Sequence, residues 1–92
     1  MSADAQRTVA ICNKRGLHAR AAARFVKLAE TFSAEVTVTR REQSVSGRSI
    51  MGLMMLAAVP GASIDIAAKG EDAETAVAAL ATLVERRFDE DA

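Results

Sequence analysis

The chain has 92 residues, enough for one small domain (1–92) with a single core, and half of them are hydrophobic although only three, all Phe, are aromatic. Twelve basic and twelve acidic side chains cancel, and with no Tyr or Trp to stack on bases the composition disfavours nucleic-acid binding. No apolar run reaches the roughly 20 residues of a membrane span, no basic-then-apolar leader opens the chain, and a single cysteine cannot close an internal disulfide, so a reducing cytoplasm is the expected setting.

Thr8-Val9-Ala10-Ile11-Cys12 is β-rich and partly alternating, which predicts a first strand with Val9 and Ile11 inward and Cys12 as a small apolar filler near its end. Residues 19–32 then change period. Ala21, Ala22, Phe25, Leu28, Ala29 and Phe32 form an inward helical stripe, with Arg20, Arg24, Lys27 and Thr31 on the other side. Glu35-Val36-Thr37-Val38-Thr39 alternates as a strand, and Gln43-Ser44-Val45-Ser46 is its hairpin partner. Ser49 is a good N-cap for a helix from Ile50 to Ala58. That segment is too apolar for one wet face: Leu53 and Leu56 fill the core, while Met51, Met54, Met55 and Ala58 make a second stripe. The stripe is either core filler or a surface whose flexible thioethers dock more than one partner.

Val59-Pro60-Gly61-Ala62 has Pro and Gly where a type II turn prefers them, and Ser63-Ile64-Asp65-Ile66-Ala67 alternates as a fourth strand. Asp72 is placed to cap a last helix with an inward stripe of Ala76, Val77, Leu80, Leu83 and Val84. The acidic tail from Phe88 to Ala92 is either frayed and solvated or able to bring a carboxylate to a basic site. The order β-α-β-β-α-β-α predicts an α+β fold, with a four-stranded, mainly antiparallel sheet covered on one face by three helices.

His18, the only histidine, lies in Gly16-Leu17-His18-Ala19-Arg20 at the start of the first helix. A helix start offers unpaired backbone N–H groups and the positive end of the helix dipole, both suited to an anion. Arg20 adds a guanidinium fork that fits phosphate oxygens, and Gly16 and Ala19 belong to the same phosphate cradle. The competing reading is a solvated histidine at a helix end, and for the surrounding Lys14, Arg15, Arg20, Arg24 and Lys27 a solvated face. Zinc usually requires several nitrogen or sulfur ligands, which one histidine and one cysteine do not supply; no metal or cofactor is expected. Hydrolytic catalysis would need a separated acid such as Asp65 to meet His18 in space, and a substrate pocket that so small a domain hardly supplies.

The segment Asn13-Lys14-Arg15-Gly16-Leu17-His18-Ala19-Arg20, followed by Ser49-Ile50-Met51-Gly52-Leu53, resembles the HPr family of phosphocarrier proteins of the bacterial phosphoenolpyruvate-dependent phosphotransferase system. The resemblance covers nearly the whole chain. One departure is Ala21, where the family usually has proline; alanine is an excellent helix former, so the site is expected to survive with a slightly looser entry. The resemblance implies an open-faced β-sandwich and a carrier, not an enzyme. Its His18 takes a phosphoryl group from phospho-Enzyme I, on Nδ1, and gives it to IIA-type acceptors, with Arg20 stabilising the phosphate. It also implies that Arg24, Ile50, Met51, Met54 and Met55 dock both partners, and that Ser49 is the serine modified by HPr kinase/phosphorylase in some bacteria. The Phe88-Asp89-Glu90-Asp91 tail resembles that of nitrogen-branch carriers. A shuttle presenting one site to successive partners is expected to be a monomer. The alternative within the same fold is a regulatory module acting by partner docking alone.

Overall fold

The computed structural model describes residues 3–90, so the expectations for Asp91 and Ala92 lie outside the described residues. Four strands, β1 (Ala5–Ala10), β2 (Glu35–Arg40), β3 (Gln43–Ser46) and β4 (Ser63–Lys69), form one sheet in the order β1-β4-β2-β3. Every neighbouring pair is antiparallel. Three helices, α1 (Ala19–Ala29), α2 (Ile50–Met55) and α3 (Ala73–Glu85), complete an open-faced α+β sandwich.

Alternation decides which face of the sheet is covered. Val9 pairs with Ile64, and Val38 pairs with both Ile66 and Val45, so apolar side chains from all four strands point to the helical side. Val9, Val36, Val38, Ile64, Ile66 and Ala68 are buried there, while the open face carries polar groups such as Thr8 hydrogen-bonded to Asp65. The core layer beneath is supplied by Ala21, Ala22, Phe25, Val26 and Ala29 of α1 and by Ala73, Ala76, Val77, Leu80, Ala81 and Val84 of α3. Alanines are frequent in this core, which lets helices and sheet approach closely without aromatic bulk.

Several boundaries and roles differ from the sequence expectation. The first strand begins at Ala5 and ends at Ala10, yet Ile11 continues the ladder, its N–H donating to Ala62 O and its carbonyl accepting from Gly61. Cys12 is exposed and not a filler; its thiol faces the Val84 and Glu85 carbonyls at the end of α3. Leu28 and Phe32 are only partly buried, and Val26 takes a core place instead. The second helix stops at Met55. Leu56 C-caps it, Arg40 donates to the Leu56 carbonyl at 2.9 Å, and Ala57 at φ 51° turns the chain away.

Ala58, assigned by spacing to the second stripe, is buried because the chain has already left the helix. Asp72 occupies the N-cap position of α3 without a side-chain capping bond. Its carboxylate accepts from the backbone N–H groups of Ser33 and Ala34, at 2.9 and 2.8 Å, and so ties the α1–β2 connection to the start of α3.

Candidate functional site

The approach to His18 is built by one tight turn. Leu17 is buried and its N–H donates to Ala58 O at 2.9 Å, which docks the loop onto the segment leaving α2. Gly16 sits at φ 68°, and a Cβ there would lie 2.6 Å from Ala58 O, so both conformation and space require glycine. Its N–H donates to Asn13 O at 3.2 Å; Gly16 therefore shapes the site and does not offer that N–H to an anion.

His18 is the N-cap of α1, in extended conformation (φ −80°, ψ 178°), and its carbonyl accepts the first helical bond from Ala22 N at 2.8 Å. An ordinary N-cap would turn its side chain onto the helix's free N–H groups. The imidazole does not do so. Among the described residues, no hydrogen bond within the chain claims the N–H groups of Ala19, Arg20 and Ala21. Ala19 and Arg20 are exposed, so this half-positive helix end and the guanidinium of Arg20 face solvent beside the ring.

The acid that meets His18 is Glu90, not Asp65, which bonds Thr8 on the open face. Glu90 Oε2 contacts His18 Nε2, and its Oε1 accepts from Asn13 Nδ2 at 3.0 Å. The His18 and Glu90 side chains are 17% and 13% exposed, so most of this contact is shielded from water. Burial alone would raise the Glu90 pKa. The hydrogen bonds from Asn13 and His18, with the charges of His18 and Arg15, outweigh burial and hold the carboxyl below its usual range.

The tail reaches this position because Phe88 is fully buried and Arg87, Phe88 and Asp89 all take positive φ (59°, 54° and 61°), reversing the chain just beyond α3. Left-handed residues of this kind cost on the order of 1–2 kcal/mol each. Burying Phe88 offsets part of that, roughly 2–3 kcal/mol for a whole phenylalanine side chain. Arg24, expected to dock partners, directs its guanidinium to the Phe88 carbonyl and so straps the tail to α1.

The structure brings Gly16, His18, Ala19 and Arg20 together in one loop and helix start. It places Ser49, Ile50, Met51, Met54 and Met55 on neighbouring α2, which packs against α1. Ser49 caps α2, its Oγ accepting from Gly52 N at 2.9 Å. Met51 and Met55 are 70% and 65% exposed, with Ile50, Met54 and Val59 also exposed, so the methionines of the second stripe, unlike Ala58, are surface and not core filler. Val59 carries this apolar surface to the His18 loop, where its Cα lies near Gly16. Sequence reasoning gave Asn13 no role and left the tail undecided. The available signal was a polar residue directly between a strand and the His18 loop, together with a phenylalanine inside an acidic tail.

Among the described residues no group of three or more His, Cys, Asp or Glu side chains is placed to hold a metal ion, and no helix is long and apolar enough to cross a membrane.

The family described as "PTS HPr component phosphorylation site" matches residues 5–86, ending before the turn that carries Glu90. The phosphocarrier protein NPr of Shewanella violacea is 46% identical over 85 residues, covering 92% of this chain and 93% of that one. The phosphocarrier protein HPr of Pseudomonas aeruginosa is 47% identical over 83 residues, covering 89% and 92%. The crystal structure of HPr from Thermoanaerobacter tengcongensis superposes with a TM-score of 0.91 at 41% identity, over 96% of this chain and 99% of that one. HPr-family proteins carry a phosphoryl group and are not themselves catalysts. The motif around His18, the antiparallel sheet with its three helices and these matches over nearly the full length agree: the chain belongs to the HPr family of phosphocarrier proteins of the phosphotransferase system.

Proposed function

We propose that this chain is a phosphocarrier in which His18 accepts a phosphoryl group from phospho-Enzyme I and passes it to IIA-type acceptor proteins. The observation that carries this reading is the N-terminus of α1, where the capping residue withholds its side chain and leaves the ring beside open N–H donors. With Nε2 occupied by Glu90, Nδ1 is the ring nitrogen left for phosphorus. A neutral imidazole nitrogen is a competent nucleophile, and the incoming phosphoryl oxygens meet the helix end and the Arg20 guanidinium. Ala19 and Arg20 are exposed beside the ring, which suits a carrier that must release what it binds.

The exposed face of α2, with Ile50, Met51, Met54 and Met55, is the docking surface for donor and acceptor; thioether side chains adapt to more than one partner. Arg20 flanks it, and Arg24 contributes charge from a position already fixed by the tail. Ser49 is the regulatory position, open to HPr kinase/phosphorylase. A phosphate there would sit at the start of α2, tolerated by the backbone, and would place a dianion against the apolar docking face. The protein works as a cytoplasmic monomer, in a regulatory relay of the nitrogen type.

The test is intact-mass spectrometry after incubation with phosphoenolpyruvate, magnesium and catalytic Enzyme I. One acid-labile phosphoryl group is expected on the native chain and none on His18→Ala. No gain by the native chain with an active Enzyme I would sink the carrier reading and leave a module that acts by docking alone.

A further inference from the structure

The side chains of α2 are sorted by reactivity as well as by burial. Leu53 and Leu56 enter the core and are fully buried, and Gly52 packs so closely on β3 that a Cβ there would lie 3.0 Å from Val45 Cβ. Every methionine among the described residues lies on the outward side, Met51 and Met55 most exposed and Met54 at 40%. Met51 and Met55 are four residues apart and so stand side by side on one helix face. The core side of α2 is therefore leucine, which mild oxidants leave alone, and the exposed apolar side is thioether sulfur, which they attack.

The helix is held in place by groups without sulfur. Ser49 Oγ accepts from Gly52 N at one end, and Arg40 donates to the Leu56 carbonyl at the other. A change confined to the methionine sulfurs alters the face and spares the fold. The remaining described sulfur, in Cys12, is turned to the Val84 and Glu85 carbonyls at the end of α3.

We propose that Met51 and Met55 form an oxidation-controlled site: a hydroperoxide converts their thioethers to sulfoxides, and α2 then loses its hold on Enzyme I until a reductase restores the sulfur. The inference rests on the α2 docking reading above. In the step, a sulfur lone pair takes one peroxide oxygen and the O–O bond breaks with its electron pair on the other oxygen. The proton of the transferred hydroxyl moves to that oxygen, so hydrogen peroxide leaves as water. Sulfur is oxidised by two electrons and the peroxide is reduced by two. A dithiol reverses the change, the sulfoxide oxygen leaving as water while the dithiol closes to a disulfide. The sulfoxide oxygen is a strong acceptor on a side chain that docking buries; in an apolar contact it gives up its hydration without a replacement bond.

The experiment uses the full chain carrying Cys12→Ser, so that no thiol takes part. It is treated with hydrogen peroxide, which is then removed with catalase, and peptide mass mapping assigns each added oxygen by residue. Initial rates of charging by Enzyme I and phosphoenolpyruvate, with carrier concentration varied, separate KM from kcat. A variant with Met51→Leu, Met54→Leu and Met55→Leu is treated in the same way, and each protein is compared with its own untreated form. An untreated Met55→Glu variant tests the docking reading by itself.

Oxygen is expected on Met51 and Met55 ahead of Met54, with native circular dichroism. KM rises roughly tenfold at unchanged kcat, the effect of one unpaired polar group buried at an interface. Methionine sulfoxide reductases of both stereospecificities, with a dithiol, restore the original KM, and peroxide leaves the leucine variant's own KM where it was. Unchanged KM after oxidation, with KM raised in Met55→Glu, overturns the inference and leaves docking on α2 intact; the methionines then only scavenge oxidant. Native KM in both overturns the docking reading together with the inference. An equal loss in the leucine variant, or a lost helix signal after oxidation, overturns the inference because the damage then lies elsewhere or in the fold. Failure of the untreated chain to be charged overturns the carrier reading and this one with it.

Discussion

The N-termini of α1 and α2 lie in the same small molecule and are finished in opposite ways. At α2, Ser49 turns its hydroxyl inward and accepts from Gly52 N, closing the helix end with a local bond. At α1, His18 also holds an extended backbone but keeps its side chain off the helix, its ring turned to Glu90. A helix end closed by its own cap is stabilised and has less to offer a ligand; one left open costs stability and is ready for an anion. The third case is instructive as well. Asp72 stands at the head of α3 but gives its carboxylate to Ser33 and Ala34, serving as a tie between two segments and not as a cap.

The largest expected effect breaks the α1 side of this comparison. His18→Ala should abolish acid-labile phosphoryl uptake completely while circular dichroism stays native; a charged variant would mean that the open end is not the acceptor site. Next is the turn that delivers His18. Gly16→Ala places a Cβ against Ala58 O at a left-handed φ, so urea unfolding should show a loss of about 3 kcal/mol, from both strain and displaced backbone. A loss near zero would show that the turn relaxes freely.

The α2 side sharpens the contrast. Ser49→Ala should cost about 1 kcal/mol in the same measurement, because Gly52 N loses its acceptor, while Ser49→Asp, itself a good cap, should stay within about 0.5 kcal/mol of the native chain. If the α2 docking reading holds, Ser49→Asp nevertheless slows charging by Enzyme I, separating cap from docking face. The smallest effect concerns Asp72. Hydrogen bonds from Ser33, opposed by some desolvation and aided by Ala34, hold its carboxyl below the usual range in the folded state. The unfolded chain therefore binds the proton more readily. The Asp72 contribution is complete above about pH 4 and fades as pH falls through the folded-state value. Asp72→Asn should flatten the acid limb of the unfolding midpoint against pH, and an unchanged limb would show that the tie carries no net stability.

Local patterning accounts for why so much of the fold was readable. Gln43–Ser46 and the start of Ser63–Lys69 stand where period-two alternation puts them, and Ser49 caps where a serine ahead of an apolar run should. The expected α2 ran too long because hydrophobicity continues through Ala58, whereas the helix is ended by Arg40 on the Leu56 carbonyl and by the turn at Ala57. Composition carries no record of either. Asp72 stands at the N-cap position where local pattern puts it, but its carboxylate goes to Ser33 and Ala34, donors distant in sequence that no local pattern shows.

The sequence by itself determined the order of elements, the inward stripes, the helix start at His18 and the family motif around it, since each depends on neighbours within a few residues. Only the tertiary structure decided which acid meets the histidine. Glu90 is 72 positions from His18, and its approach depends on Phe88 burial, three left-handed residues, the Arg24 strap and the buried amide of Asn13 acting together. Contacts of that kind are set by packing in three dimensions, where the chemistry of one side chain is completed by residues that no local pattern connects to it.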